Sequence, residues 1–208
     1  MMPTLASWQR LWTELGAPTV NGGLMNQLMA AYSEGQRHYH TLQHLRECLA
    51  HLDASASLAR RPAEVELALW FHDAVYDPQR RDNEARSADW ARDSVLAAGC
   101  APAVAQRVHA LVLATQAHGD DVTDSDTQLL LDIDLSILGA APARFAEYER
   151  QIRAEYAHVP EAAFRAGRAR LLQGFLGRPS IYLTESYRAA LEQRARTNIG
   201  QALAALQA

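Results

Sequence analysis

Apolar residues recur three and four positions apart along most of this chain, and this helical period limits the folds that the sequence can adopt. Two of the stripes are Leu5, Trp8, Leu11 and Leu15, and then Leu42, Leu45, Leu49 and Leu52. The alternation typical of β-strands is confined to a weak candidate at residues 181–184. The sequence therefore predicts an all-α fold.

Gly, Pro and Asn residues divide the pattern into successive helices. Pro62 starts a predicted helix that extends to residue 73, and Asn83 is the predicted cap of a helix that Gly99 ends. Further helices are predicted over residues 102–118 and 125–139, from Pro142, from Pro160, and over residues 186–206. Because the sequence contains no internal repeat or linker-like tract, we expect one domain over residues 1–208.

Charge and hydropathy argue against two classes of partner. The net charge is −4, and all 20 basic residues are arginines interspersed with acidic ones, so no surface for a nucleic-acid polymer is predicted. No run approaches the roughly 18 apolar residues that a membrane helix needs, so no membrane association is expected. Cys48 and Cys100 lack C-x-x-C spacing and follow no signal peptide, so we expect reduced, buried thiols in a cytoplasmic protein.

Three of the eight histidines crowd into "RHYHTLQH", residues 37–44. If the helix of the second leucine stripe includes this segment, His40 and His44 project side by side and flank the leucines. An H-x-x-x-H pair by itself is compatible with a structural role and with a metal site. The segments around residues 72–73 and 132–134 favour the metal site over the structural role.

Two further segments place charged groups in apolar surroundings. In "LALWFHDAVYD", His72 and Asp73 follow five apolar residues, and in "LLLDIDLSILG", Asp132 and Asp134 lie among seven aliphatic ones. An unpaired buried carboxylate is costly, and a divalent cation would offset it, although an arginine could also pair with Asp73. Imidazole and carboxylate donors suit Mn²⁺, Mg²⁺, Fe²⁺, Ni²⁺ or Zn²⁺. The histidine segment and these two segments together predict one divalent metal centre.

The order H…HD…D, from His44, His72, Asp73 and Asp134, resembles that of the HD superfamily of metal-dependent phosphohydrolases. The resemblance spans about residues 37–139, and residues 140–208 form a helical C-terminal portion. "YHTLQH" also resembles the Y-H-N-x-x-H segment of cyclic-nucleotide phosphodiesterases, although Thr41 stands where those enzymes have Asn. "FHDAVYDP…NEARSA" and the A-R-T-N of residues 195–198 resemble a bacterial group of predicted HD phosphohydrolases whose substrate is unassigned.

The resemblance implies a single-domain HD-type helical bundle in which His44, His72, Asp73 and Asp134 hold the metal. The implied reaction is hydrolysis of a phosphomonoester or phosphodiester bond in a nucleotide or another small phosphate compound. Asp73 is the expected general base, and His40 the expected acid that protonates the leaving oxygen.

Three residues are candidates for substrate contact, each with a simpler alternative. Arg37 could bind phosphate or be merely solvated, and His118 could touch substrate or simply end a helix. Glu84 could lie near the HD site, and its alternative is an ordinary acidic residue of a first helical turn.

Several alternatives stay open at this point. Asp132 competes with Asp134, and because residues two apart on a helix point about 200° away from each other, one ion would take only one of them. The likeness of "DLS" to the final Asp segment of the phosphodiesterases favours Asp134. A non-catalytic module that senses a nucleotide and an oxygenase with two irons are the competing functions. The expected partner is a small phosphorylated substrate, with a homodimer as an open question.

Overall fold

The computed structural model describes residues 4–117, 119 and 121–207. These residues form ten α-helices with no β-strand among them, which confirms the all-α prediction. The helices are α1 (Leu5–Glu14), α2 (Gly22–Ala31), α3 (Leu42–Ser55), α4 (Pro62–Phe71), α5 (Asn83–Ala97), α6 (Pro102–Ala114), α7 (Ser125–Asp134), α8 (Pro142–Glu155), α9 (Glu161–Leu176) and α10 (Glu185–Gln207). Short 3-10 helices cover Ala56–Leu58 and Leu135–Gly139.

The chain divides into two compact units, the first ending at Ile133 and the second beginning at Asp134. Each unit is described by itself, and the single domain expected from the sequence stays a prediction. Among the described helices, none combines the length and the apolar character needed to cross a membrane.

Helix α4 is the central helix of the first unit. It packs against α1, α3, α5 and α6, and its buried residues surround the whole helix axis, as expected for a helix that is apolar on every side. The Trp70 ring meets the Trp8 ring edge to face at 4.9 Å, and Phe71 meets Trp90 in the same way at 5.6 Å. Because α4 runs through the core, the residues that follow its last turn emerge directly from that core.

The start of α3 differs from the prediction. Thr41 is the N-cap, with an extended backbone and a hydroxyl that accepts a hydrogen bond from the Gln43 N–H at 3.2 Å. His40 therefore lies in the turn before α3, and the expectation that it shares a helix with His44 is wrong. The Thr41 side chain satisfies an otherwise unpaired N–H of the first turn, so α3 begins at Leu42, directly after this cap.

The start of α5 also differs from the prediction. Asp82 is the N-cap residue, and Asn83 is the first residue of the helix. The Asn83 side chain is occupied elsewhere, because it donates to the Asp77 carbonyl at 2.8 Å and accepts from the Asp77 N–H at 3.2 Å. Asn83 thus closes the loop that leads away from the end of α4.

The N-terminal ends of α4 and α7 are joined by a buried carboxylate. Asp126, in the first turn of α7, accepts from the backbone N–H groups of Arg60 and Arg61 at 2.6 and 3.1 Å, just before α4 begins. Both helices contain ten residues and are therefore about 15 Å long.

The second unit is organised around α10. The Asn198 amide, buried at 1% exposure, donates to the Leu138 and Ala140 carbonyls at 2.9 Å each. A Cβ on Gly139 would lie 2.7 Å from the Leu191 Cβ, so the close approach of the 3-10 helix to α10 requires a glycine. The A-R-T-N segment of residues 195–198 therefore contains contacts that hold the second unit together.

Residues 181–184, the weak strand candidate, are not a strand. The side chains of Ile181 and Tyr182 are fully buried, which explains the apolar pattern. Their N–H groups donate to the Glu192 carboxylate at 3.0 to 3.3 Å, so this backbone is satisfied by a side chain of α10 in place of a neighbouring strand.

We expect Asp126→Ala to lower the free energy of unfolding by about 1.5–3 kcal/mol, because two backbone N–H groups lose a buried, charged acceptor. Urea denaturation would measure the change. Asp121→Ala, which removes an exposed carboxylate from the segment before α7, is the matched control and should leave the unfolding midpoint unchanged. Equal midpoints for the two variants would contradict the structural role of Asp126.

A second prediction concerns the acid stability that Glu192 confers. Burial raises its pKa, but hydrogen bonds from Ile181, Tyr182, Ser180 and Arg196 outweigh burial and hold the pKa below the ordinary value of 4.5. The stabilisation is therefore complete above about pH 4.5 and is lost as the pH falls through the lower pKa of the folded state. Glu192→Gln should be less stable than the parent chain at pH 7, with a difference that narrows in urea titrations at pH 4 and 3. A difference that stays constant with pH would show that the charge of Glu192 is immaterial.

Candidate metal centre

His72 presents one ring nitrogen whose protonation is determined by a hydrogen bond. It is the C-cap residue of α4 and is 2% exposed. Its Nδ1 lies 2.8 Å from the Leu69 carbonyl oxygen. A carbonyl oxygen only accepts, so Nδ1 carries the proton, and the Nε2 of a neutral His72 presents a lone pair. A backbone carbonyl that orients a histidine in this way is the usual support of a metal ligand.

Three donor atoms converge at the end of α4. His44 Nε2, from α3, lies 3.0 Å from His72 Nε2. The Asp73 Oδ2 lies 2.9 Å from His72 Nε2 and 3.4 Å from His44 Nε2. A neutral His72 would turn a lone pair toward both a carboxylate and a second imidazole. The contact therefore calls for either a proton shared between His72 Nε2 and the Asp73 carboxylate or a metal ion among the three atoms.

The distances between these atoms fit a divalent ion. Metal bonds to imidazole nitrogen and carboxylate oxygen are about 2.0–2.2 Å long, so ligands at right angles lie about 3 Å from each other. The observed separations of 2.9, 3.0 and 3.4 Å fall at this value or slightly above it. His44, His72 and Asp73 are thus arranged as neighbouring ligands of one ion.

Asp134 and Cys48 complete the cluster. Donor atoms of His44, Cys48, His72 and Asp134 all lie within 4.8 Å of one another. Asp134 is the last residue of α7, the helix whose first turn is joined by Asp126 to the segment before α4. Asp132, fully buried two residues earlier, is not a member of this group, and neither is Asp73. The choice of Asp134 over Asp132 as a ligand stays a prediction.

Sequence reasoning missed Cys48 as a candidate donor. The thiol is buried and unpaired with Cys100, as expected, but it lies one helical turn after His44 on the same face of α3. The H-x-x-x-C spacing was the available signal.

The charges around Asp73 favour its ionised form. Burial raises its pKa, but the neighbouring His72 and His40 and the hydrogen bonds from His44 and His72 outweigh burial and hold the pKa well below its usual value. The Tyr32 hydroxyl accepts a hydrogen bond from the Asp73 N–H at 3.3 Å, and the pKa of this phenol is raised, in contrast to that of Asp73. Burial raises the pKa of Tyr32 to about 12, so this phenol stays neutral beneath the cluster.

Arg37 holds the loop that carries Asp73. Its guanidinium, 0% exposed, donates to three main-chain carbonyl oxygens: those of Asp73 at 2.6 Å, Ala74 at 3.0 Å and His40 at 3.2 Å. It also pairs with Glu34 at 3.0 Å and lies over the rings of Tyr32 and Tyr76. These contacts give Arg37 a structural role, whereas its contact with a substrate stays a prediction.

His40 lies beside the cluster. Its ring stacks on Tyr76 with centroids 4.2 Å apart, and its centroid is 6.0 Å from that of His44. The side chain is half-buried. His40 and His44 are neighbours as expected, although the turn before α3, and not a shared helix, brings them together.

The remaining predicted substrate contacts receive less support. Glu84 lies in the first turn of α5 and is not a member of the group of metal donors. This position matches its simpler alternative as a first-turn acid, and a substrate contact stays a prediction. His118 lies outside the described residues.

Comparisons of the chain with protein-family models, with curated proteins and with solved structures give no significant match. The geometry of the centre therefore has to carry the functional argument.

We expect Arg37→Lys to lower the free energy of unfolding by about 2–4 kcal/mol without any ligand present, because one ammonium cannot replace three carbonyl contacts and two ring contacts. Urea denaturation would measure this loss. Arg80→Lys, at an exposed ion pair with Asp82, is the control and should leave the midpoint unchanged. An Arg37→Lys variant as stable as the parent chain would contradict the structural role of Arg37.

Proposed function

We propose that this protein is a metal-dependent phosphohydrolase of the HD type. The supporting observation is the convergence of His44 Nε2, His72 Nε2 and Asp73 Oδ2 within 3.4 Å at the end of a buried helix. These residues, together with Asp134, occur in the order in which the HD superfamily supplies its ligands. The resemblance of the motifs and the geometry of the side chains thus favour the same residues.

The proposed ligands are His44, His72, Asp73 and Asp134. A bound divalent ion would supply Lewis acidity, which lowers the pKa of water and neutralises charge on a phosphoryl group. The two imidazoles suit Fe²⁺, Ni²⁺ and Zn²⁺, and the two carboxylates suit Mn²⁺ and Mg²⁺, so these five ions are the candidates. The proposed substrate is a nucleotide or another small phosphorylated compound, and the proposed setting is the cytoplasm.

The exposure of the side chains indicates where a substrate would enter. His44 and His72 have side chains 3% and 1% exposed, whereas the Asp73 side chain is 18% exposed. A substrate would therefore approach on the side of Asp73, where this carboxylate can accept a proton from the attacking water. Arg37 keeps the Asp73 main chain in place during this step.

His40 is the proposed general acid. Its stacking on Tyr76 fixes the plane of the ring, and its half-buried position leaves one side open to solvent. A protonated His40 would donate to the departing oxygen and so avoid the release of a free alkoxide. With Arg37 bonded to main-chain carbonyls, the charge of the phosphate would be met chiefly by the ion.

Metal analysis tests the first part of the proposal. The full chain, loaded with Mn²⁺ or Zn²⁺ and desalted, should retain about one ion per chain, as measured by mass spectrometry of the metal content. His72→Gln should lose it, because the amide cannot replace the oriented Nε2. His109→Gln is the matched control, since His109 lies on α6 and pairs with Asp89. If the parent chain retains no metal, the proposal is excluded. If it retains two ions per chain, the competing function as an oxygenase with two irons is favoured.

Turnover tests the second part. With each divalent ion in turn, p-nitrophenyl phosphate, bis-p-nitrophenyl phosphate and a panel of nucleotides should reveal hydrolysis. Asp73→Asn should reduce it at least about 100-fold, because the amide is a weaker ligand and no base. Binding of a nucleotide by the metal-loaded chain without turnover would identify the non-catalytic sensor instead.

A further inference from the structure

A thiol lies against the proposed metal centre. Cys48 is 1% exposed, and its Sγ lies 3.7 Å from both ring nitrogens of His44. The same sulfur belongs to the group whose donor atoms, with those of His72 and Asp134, lie within 4.8 Å of one another. This buried sulfur therefore lies close to two imidazoles and a carboxylate.

The second cysteine provides a contrast within the same chain. Cys100 is also buried, at 6% exposure, and follows the positive-φ residue Gly99 between α5 and α6. It is not a member of the group of metal donors. Burial raises the pKa of the Cys100 thiol, as expected for a sulfur with a purely structural position.

We propose that Cys48 is a ligand of the metal ion, so that the centre prefers thiophilic ions such as Zn²⁺, Co²⁺ and Fe²⁺ to Mg²⁺. This inference rests on the proposed function, in that it requires an ion at His44 and His72. On binding, the Cys48 thiol releases its proton to solvent as the sulfur–metal bond forms, and no electron is transferred. One proton is thus released from Cys48 for each ion bound.

Bond lengths support the assignment. For Zn²⁺, bonds of about 2.3 Å to sulfur and 2.0–2.1 Å to nitrogen place tetrahedral S and N ligands about 3.5 Å apart. Sγ and His44 Nε2 are 3.7 Å apart. Sγ is equally far from both ring nitrogens of His44, and rotation about the single χ1 angle, which moves Sγ by up to about 3 Å, gives the sulfur room to adjust to an ion.

The chemistry of the donors supports the same preference. Magnesium demands oxygen ligands and keeps several waters, whereas a thiolate with imidazoles suits Zn²⁺ and related ions. Cys48 is one helical turn from His44 on α3, so a single rigid helix would present a nitrogen and a sulfur to one ion.

Cobalt spectroscopy of the full chain tests this inference. Co²⁺ bound by a thiolate shows sulfur-to-cobalt charge-transfer absorption in the near ultraviolet, in addition to the visible bands of the ion. We expect both in the parent chain and in Cys100→Ser, whereas Cys48→Ser should keep visible bands and lose the charge-transfer band. Zn²⁺ affinity of Cys48→Ser, from competition with a chelator, should fall about 10–100-fold, with Mg²⁺ affinity unchanged.

The outcomes separate this inference from the proposed function. Visible cobalt bands without charge transfer in the parent chain would overturn the thiolate ligand and leave the metal centre intact. Absence of any cobalt spectrum would overturn both. If Cys48→Ser does not fold, X-ray absorption of the zinc-loaded parent chain decides, because a sulfur scatterer at about 2.3 Å supports the ligand and its absence refutes it.

Discussion

Charge balance among three converging donor atoms at the buried end of α4 is the constraint on which the candidate metal centre depends. His44 Nε2, His72 Nε2 and Asp73 Oδ2 lie 2.9 to 3.4 Å apart. Because His72 Nδ1 donates its proton to the Leu69 carbonyl, the Nε2 of a neutral His72 carries no proton. Three electron-pair donors in a poorly solvated site repel one another unless a cation joins them. A divalent ion satisfies all three at once.

The surrounding structure keeps these atoms together by holding the backbone on either side of them. Helix α4 is buried on every side, so its C-terminal end cannot shift without disturbing the core. Asp126 joins the start of α7 to the start of α4, and Arg37 fastens the main chain of Asp73 and Ala74. A buried arginine that bonds carbonyl oxygens in this way acts on the centre through the loop.

The second unit satisfies its polar groups by itself. Glu192 accepts the N–H groups of residues 181 and 182, and Asn198 donates to two carbonyls beside Gly139. The Arg196 guanidinium pairs with Glu192 and with main-chain carbonyls of the same unit. These arginine and asparagine contacts give the A-R-T-N segment a structural role within the second unit.

The sequence by itself determined the helical fold and indicated most residues of the candidate centre. The apolar period identified the helices, and charged residues set in apolar runs identified His72, Asp73 and Asp134, because both signals are local and reflect burial. Only the tertiary structure decided three other points. The Thr41 cap excludes His40 from α3, the Arg37 side chain turns inward to main-chain carbonyls, and Cys48 joins the metal donors. Each depends on which atoms from distant segments meet, and hydrophobic periodicity carries no information about such contacts.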